Sequence, residues 1–157
     1  MPEQRYWLFK SEPNAYSFDD LMNEPDGWAE WDGVRNYQAR NSMRDDMKVG
    51  DGILFYHSNA QPLSIVGVAI VVREGYDDFH GLDPDDQHYD PKATAENLIW
   101  SMVDIKGERA LPHPVTMDEL KANPKLKDML LIRKGMRLSI QPVTKEEFDE
   151  VLLMGGA

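Results

Sequence analysis

The chain has 157 residues, 41% of them hydrophobic, and a formal net charge of −11. That is enough for one domain with its own core, residues 1–157, and short for two. There is no cysteine, which excludes disulfides, thiolate metal sites and a cysteine nucleophile; no apolar run approaches the ~20 residues that span a bilayer.

"MPEQRYWLFK" lacks the apolar region of a signal peptide. A cytoplasmic protein is expected, or a nuclear one in a eukaryote, although no basic tail points there. "RYWLFK" (5–10) reads as a strand, ended by the proline of "SEPN". "SFDDLM" opens a helix, with Ser17 and Asp20 at capping-box spacing. "NYQARNSMRDDM" (36–47) reads as a second helix that buries Ala39, Met43 and Met47. Gly50-Asp51-Gly52 is a turn before the strand "ILFYHS", and "LSIVGVAIVV" (63–72) is the most apolar strand. Gly67 inside it predicts a bulge or a tight corner.

Glu74–Asn97 reads as a long acidic loop, followed by strands at "IWSMVDIKG" and "RALPHPV". Thr116/Glu119 and Thr144/Glu147 are capping boxes for two more helices, and "MRLSIQPV" (136–143) alternates as a strand. Strands that follow one another without helices between them point to α+β: a curved, mostly antiparallel β-sheet or barrel with peripheral helices.

The charge is uneven. Residues 74–90 carry seven acidic groups and no Lys or Arg, whereas 34–49 carry Arg35, Arg40, Arg44 and Lys48 against Asp45 and Asp46. The distribution leaves room for a local basic patch on an acidic protein. Arg40 and Arg44 stand four apart, either a solvated helix face or, with Lys48, a phosphate track. Beside them, "WDGVRNYQARN" (31–41) concentrates aromatic and hydrogen-bonding residues. Trp31 is a lid on the core or a stacking wall for a planar ligand, since one base–aromatic stack contributes roughly 1–3 kcal/mol. Gly33 allows close backbone approach. Asn36 caps the following helix or reads a ligand beside its free N–H groups.

"FYHSN" (55–59) ends a strand, with Phe55 and His57 on one face and Tyr56 and Ser58 on the other. His57 suits a general base, a donor to a base edge, or a structural histidine. His80 and His88, with Asp77, Asp83 or Asp86, fit no zinc or EF-hand spacing, so neither metal nor cofactor is expected. Lys10, Ser11 and Glu12 form either a hydrolytic set or a polar strand exit. No P-loop, G-x-S-x-G, HExxH or G-x-G-x-x-G occurs.

"YWLFKSEP", "WDGVRNYQARN", "VGDGILFYHSN", "IVGVAIVV" and "RLSIQPVT", in this order, resemble the EVE domain of the PUA-like superfamily. The resemblance runs from Tyr6 to near the C-terminus and implies a compact curved β-barrel with helices at its edges. It also implies a pocket for a modified nucleobase, chiefly a modified cytosine in DNA, with modified RNA as a further ligand class. EVE domains are similar to YTH domains, whose aromatic cage uses a Lys-Ser pair on the first strand and a Trp after the first helix. Lys10, Ser11 and Trp31 stand at the similar places; Tyr56, Phe55 or Trp100 remain open for the second aromatic.

The expected mechanism extrudes the base, stacks it on Trp31 and reads its polar edge with Ser11, Asn36 and the backbone of Gly33–Arg35. Val34 and Tyr56 meet the added methyl or hydroxymethyl group, His57 and Ser58 belong to the same pocket, with a bond from His57 or Asn36 to the modification as the route to strong selectivity, and Arg35, Arg40, Arg44 and Lys48 hold flanking phosphates. One buried methyl is worth only ~0.8 kcal/mol, so strong selectivity needs polar contacts that the wrong base leaves unpaired. The expected partner is therefore nucleic acid carrying a modified base, with no membrane and no catalysis. The alternatives are a small ASCH-like amidohydrolase acting on modified nucleosides through Lys10, Ser11 and Glu12, and a protein adaptor using the acidic loop.

Overall fold

The computed structural model describes residues 4–14, 16–31, 40–58, 63–77, 85, 91, 101–133 and 139–156, with Arg44, Glu74, Tyr76, Asp77 and Ser101 described by backbone alone. In chain order the elements are β1 (Tyr6–Ser11), α1 (Phe18–Met22), β2 (Ala29–Trp31), a π-turn (Ser42–Asp46), β3 (Gly52–His57) and β4 (Ser64–Asp77). Then come β5 (Ser101–Thr116), α2 (Met117–Ala122), two 3-10 turns (Pro124–Leu126 and Leu130–Ile132), β6 (Ile140–Val143) and α3 (Lys145–Met154).

The strands form one sheet in the order β2-β5-β4-β3-β1-β6. Among the described strands, only β1 and β3 pair in parallel; the other pairings are antiparallel. Trp31 on β2 nevertheless lies with its ring centroid 5.3 Å from that of Phe9 on β1, across three intervening strands. In a flat sheet, four steps of about 4.8 Å would hold the two apart. The sheet is therefore curled into a half-barrel, and Trp31 reaches across its mouth.

Both faces of the sheet are covered. Inside the curl, Trp7, Phe9, Ile53 and Phe55 pack with Phe18 and Leu21 of α1 and with Met43 and Met47. Outside it, Leu8, Leu54, Tyr56 and Ile65 pack beneath Leu120 of α2 and Phe148 and Val151 of α3. This two-sided burial explains why "GILFY" reads as a continuous apolar run instead of alternating with polar residues.

All three capping boxes form: Ser17 with Asp20, Thr116 with Glu119, and Thr144 with Glu147. Three elements differ from the sequence reading. The expected loop from Glu74 begins later, because β4 continues to Asp77 by pairing with Ser101–Asp104 across register shifts. The two expected strands "IWSMVDIKG" and "RALPHPV" join into the single β5, which starts at Ser101. Of the expected helix 36–47, the described part is a short helical segment ending in the π-turn, although Met43 and Met47 are buried as a pair. It stops at Met47 because the next amide, that of Lys48, donates instead to the Asp51 carboxylate at 3.0 Å.

Gly67 does mark a bulge. The β3–β4 ladder slips between Phe55 and Tyr56, where Gly67 and Ile65 are the successive partners. A Cβ on Gly67 would lie 2.3 Å from the Phe18 ring, so α1 rests on bare backbone at this point.

Candidate functional site

β1 and β3 place Phe9 opposite Phe55 and Ser11 opposite His57. Residues two apart share a strand face, so these four line the inner face at one end of the half-barrel. Trp31 lies above them, its ring centroid 5.3 Å from Phe9, 5.6 Å from Phe55 and 6.2 Å from Tyr16. Phe9 and Phe55 are sealed, whereas Trp31, Tyr16, Ser11 and His57 are half-buried. The arrangement is an aromatic floor with a partly open rim. Trp31 thus covers the core while being itself only partly buried, and partial exposure is the least that stacking a planar ligand requires.

The polar rim groups have defined roles. Ser11 Oγ donates to the Tyr16 carbonyl at 2.5 Å, and the Ser58 amide donates to the Ser11 carbonyl at 2.9 Å. Ser11 therefore offers a ligand an acceptor oxygen, not a proton. His57 Nε2 accepts from the Phe18 amide at 3.1 Å, at the start of α1. An accepting Nε2 carries no proton, so the neutral ring holds its proton on Nδ1 as a donor. Burial lowers the His57 pKa below its ordinary value, opposed in part by Asp19.

That shift predicts a pH dependence. The unfolded chain takes up the proton first as pH falls, so stability from His57 is full above about 6.5 and is lost as pH drops through the folded pKa. Urea midpoints of wild type and His57→Gln should converge between pH 7.5 and 5; parallel curves would rule out this linkage.

The structure sorts the sequence-derived candidates. Tyr56 requires correction: it is 3% exposed and belongs to the outer cluster with Leu8 and Leu54. Period-two alternation sends it away from Trp31 while Phe55 takes the inner face. Alternation also starts Lys10 on the outer face opposite Tyr56, where burial lowers its pKa. The Lys-Ser pair is thus split across the sheet. Arg40 is half-buried and donates through Nε and Nη2 to Asn41 Oδ1 at 3.1 and 2.8 Å. Lys48 is exposed.

Gly33, Val34, Arg35, Asn36, Trp100, His80, His88, Asp83 and Asp86 lie outside the described residues, as does the Arg44 side chain. Among the described residues, no group of three metal-ligating side chains occurs and no helix is long and apolar enough to cross a membrane. A separate groove of about 370 Å³ lies near the start of β1, lined by Arg5, Tyr6, Trp7, Ser42 and Lys145 among others. Its cations face carboxylates, Arg5 with Asp46 at 3.4 Å and Lys145 with Asp149 at 2.6 Å.

The sequence reading missed Tyr16, which packs edge-on to Trp31 and receives the Ser11 hydroxyl on its carbonyl. The available signal was an aromatic immediately before the Ser17 cap, the position of a hydrophobic staple.

Known proteins are similar to this chain in both sequence and architecture. Thymocyte nuclear protein 1 of Rattus norvegicus is 42% identical over 94% of this chain and 72% of its own length. A solved protein of Leishmania major superposes with TM-score 0.91 at 45% identity, covering 98% of this chain and 96% of that one. Human THYN1 protein, solved in complex with 5-methylcytosine-containing DNA, superposes with TM-score 0.90 at 39% identity, covering 98% and 99%. The EVE domain matches residues 5–154, spanning every strand and helix that builds the aromatic floor and its rim, and the chain belongs to the EVE domain family.

Proposed function

We propose that the chain is a non-catalytic reader of a modified cytosine in nucleic acid. The observation that carries this is Trp31, half-buried over Phe9 and Phe55 with Ser11 and His57 at its edge, in a chain so similar to a protein solved with 5-methylcytosine-containing DNA. The extruded base stacks on the indole, at an unstacking cost of a few kcal/mol. An acceptor at Ser11 suits the exocyclic amino group of cytosine, and a donor at His57 Nδ1 suits its ring acceptors. The backbone of Gly33–Arg35 and Asn36 read the same edge, Val34 meets the modification, and Arg40, Arg44 and Lys48 hold flanking phosphates.

Absence of catalysis is supported by Ser11. Its hydroxyl proton is directed at a carbonyl oxygen, which cannot act as the base that a nucleophilic serine needs.

Fluorescence anisotropy with matched DNA and RNA oligonucleotides carrying cytosine or 5-methylcytosine tests the reading. Tighter binding of the methylated strand by a factor of about four is expected from one buried methyl, with the nucleosides unchanged by mass spectrometry. Equal affinities would overturn the reading. Product formation abolished by Lys10→Ala would replace it with the hydrolase.

A further inference from the structure

We infer that Tyr16, clamped by Glu24, is a positioning residue that sets the angle of the Trp31 indole and thereby the affinity for the modified base. This rests on the reader function proposed above. Among the described residues, Trp31 has three aromatic supports. Two of them, Phe9 and Phe55, belong to paired strands and are fully buried. Their places are fixed by the sheet. The third, Tyr16, stands in the turn between β1 and α1, where nothing in the sheet ladder holds it.

Tyr16 is held by side chains and turn backbone instead. Its phenol donates to Glu24 Oε1 at 2.5 Å, its amide donates to the Glu12 carbonyl at 2.8 Å, and its carbonyl accepts from Ser11 Oγ at 2.5 Å. So anchored, the ring meets the indole edge-on at 75°, with centroids 6.2 Å apart. Burial, the Glu24 hydrogen bond and the nearby charges of Glu24 and Asp20 raise the phenol pKa above its ordinary value. Ser11, through the Tyr16 backbone, and Glu24, through its phenol, both act on the stacking wall by way of this one residue. Glu24 itself follows α1, so the clamp ties the helix end to the rim of the site.

The test uses the full chain labelled with 5-fluorotryptophan, the Trp31 resonance being assigned by its loss in Trp31→Phe. Tyr16→Phe and Glu24→Ala should each move or broaden that resonance and weaken binding of a 5-methylcytosine oligonucleotide about five-fold, less than the roughly tenfold or more of one hydrogen bond to a charged group, because this bond reaches the ligand only through the indole. The double variant should be no weaker than the worse single one, and Glu24→Gln, which keeps an acceptor, should restore most of both readouts. An unchanged Trp31 resonance in Tyr16→Phe overturns the clamp, whatever the affinity does. Should the reader function itself fail, so that Trp31→Ala binds as wild type does, the resonance still decides whether Tyr16 positions the indole.

Discussion

Trp31→Ala should weaken binding of a 5-methylcytosine oligonucleotide roughly 5- to 150-fold, the range that one base–aromatic stack supplies. The loss should be smaller against the unmodified strand, which is held more by phosphate contacts. The same substitution also uncovers Phe9 and Phe55, against which the indole packs. Because Trp31 is half-buried, the stability loss should fall below that of a fully buried Trp→Ala, at about 2 kcal/mol. Binding must therefore be measured at a temperature where circular dichroism shows both proteins folded. Trp31→Phe, which keeps an aromatic face, should recover most of the stability and part of the affinity. If alanine binds the methylated strand as tightly as tryptophan does, the indole is a core lid alone.

The largest expected stability change is at Asp51, which is 2% exposed. Its carboxylate accepts from the Arg5 amide at 3.1 Å, the Trp7 indole N–H at 3.0 Å and the Lys48 amide at 3.0 Å. These bonds lock the start of β1 to the turn before β3. β1 and β3 pair in parallel, and a parallel pair has no hairpin to hold its register. Asp51→Ala leaves three donors without their acceptor. The Trp7 bond is buried and the two amide bonds are part-buried; at about 1–3 kcal/mol for each orphan, reduced where water can reach the amides, the loss should be about 3–5 kcal/mol. Asp51→Asn keeps one acceptor oxygen and should fall between wild type and alanine. Urea midpoints of the three proteins provide the comparison; an Asp51→Ala loss within about 1 kcal/mol would show that the turn holds its place without the carboxylate.

Much of this molecule was legible locally. A capping box needs only two side chains three residues apart, and Ser17/Asp20, Thr116/Glu119 and Thr144/Glu147 all form. Strand alternation needs only neighbouring residues, and it placed Phe55 with His57 before any tertiary contact was known. The blocks "YWLFKSEP" and "VGDGILFYHSN" carried the family resemblance because they hold the paired strand ends on which the aromatic floor is built. Asp51 was different. Within Gly50-Asp51-Gly52 it reads as ordinary turn chemistry, and only the return of Arg5 and Trp7 from 44–46 residues away makes it a buried acceptor.

By itself, then, the sequence determined the chain's family, its helix starts and the residue types present at the candidate site. Those follow from short-range spacing. Tertiary structure alone decided which of them meet. Curling the sheet carried Trp31 across three strands onto Phe9 and Phe55, turned Tyr56 away beneath the outer helices, and placed Tyr16 against the indole. The physical reason is that strand order and curvature are set by long-range pairing and two-sided burial, neither of which any short stretch of sequence encodes.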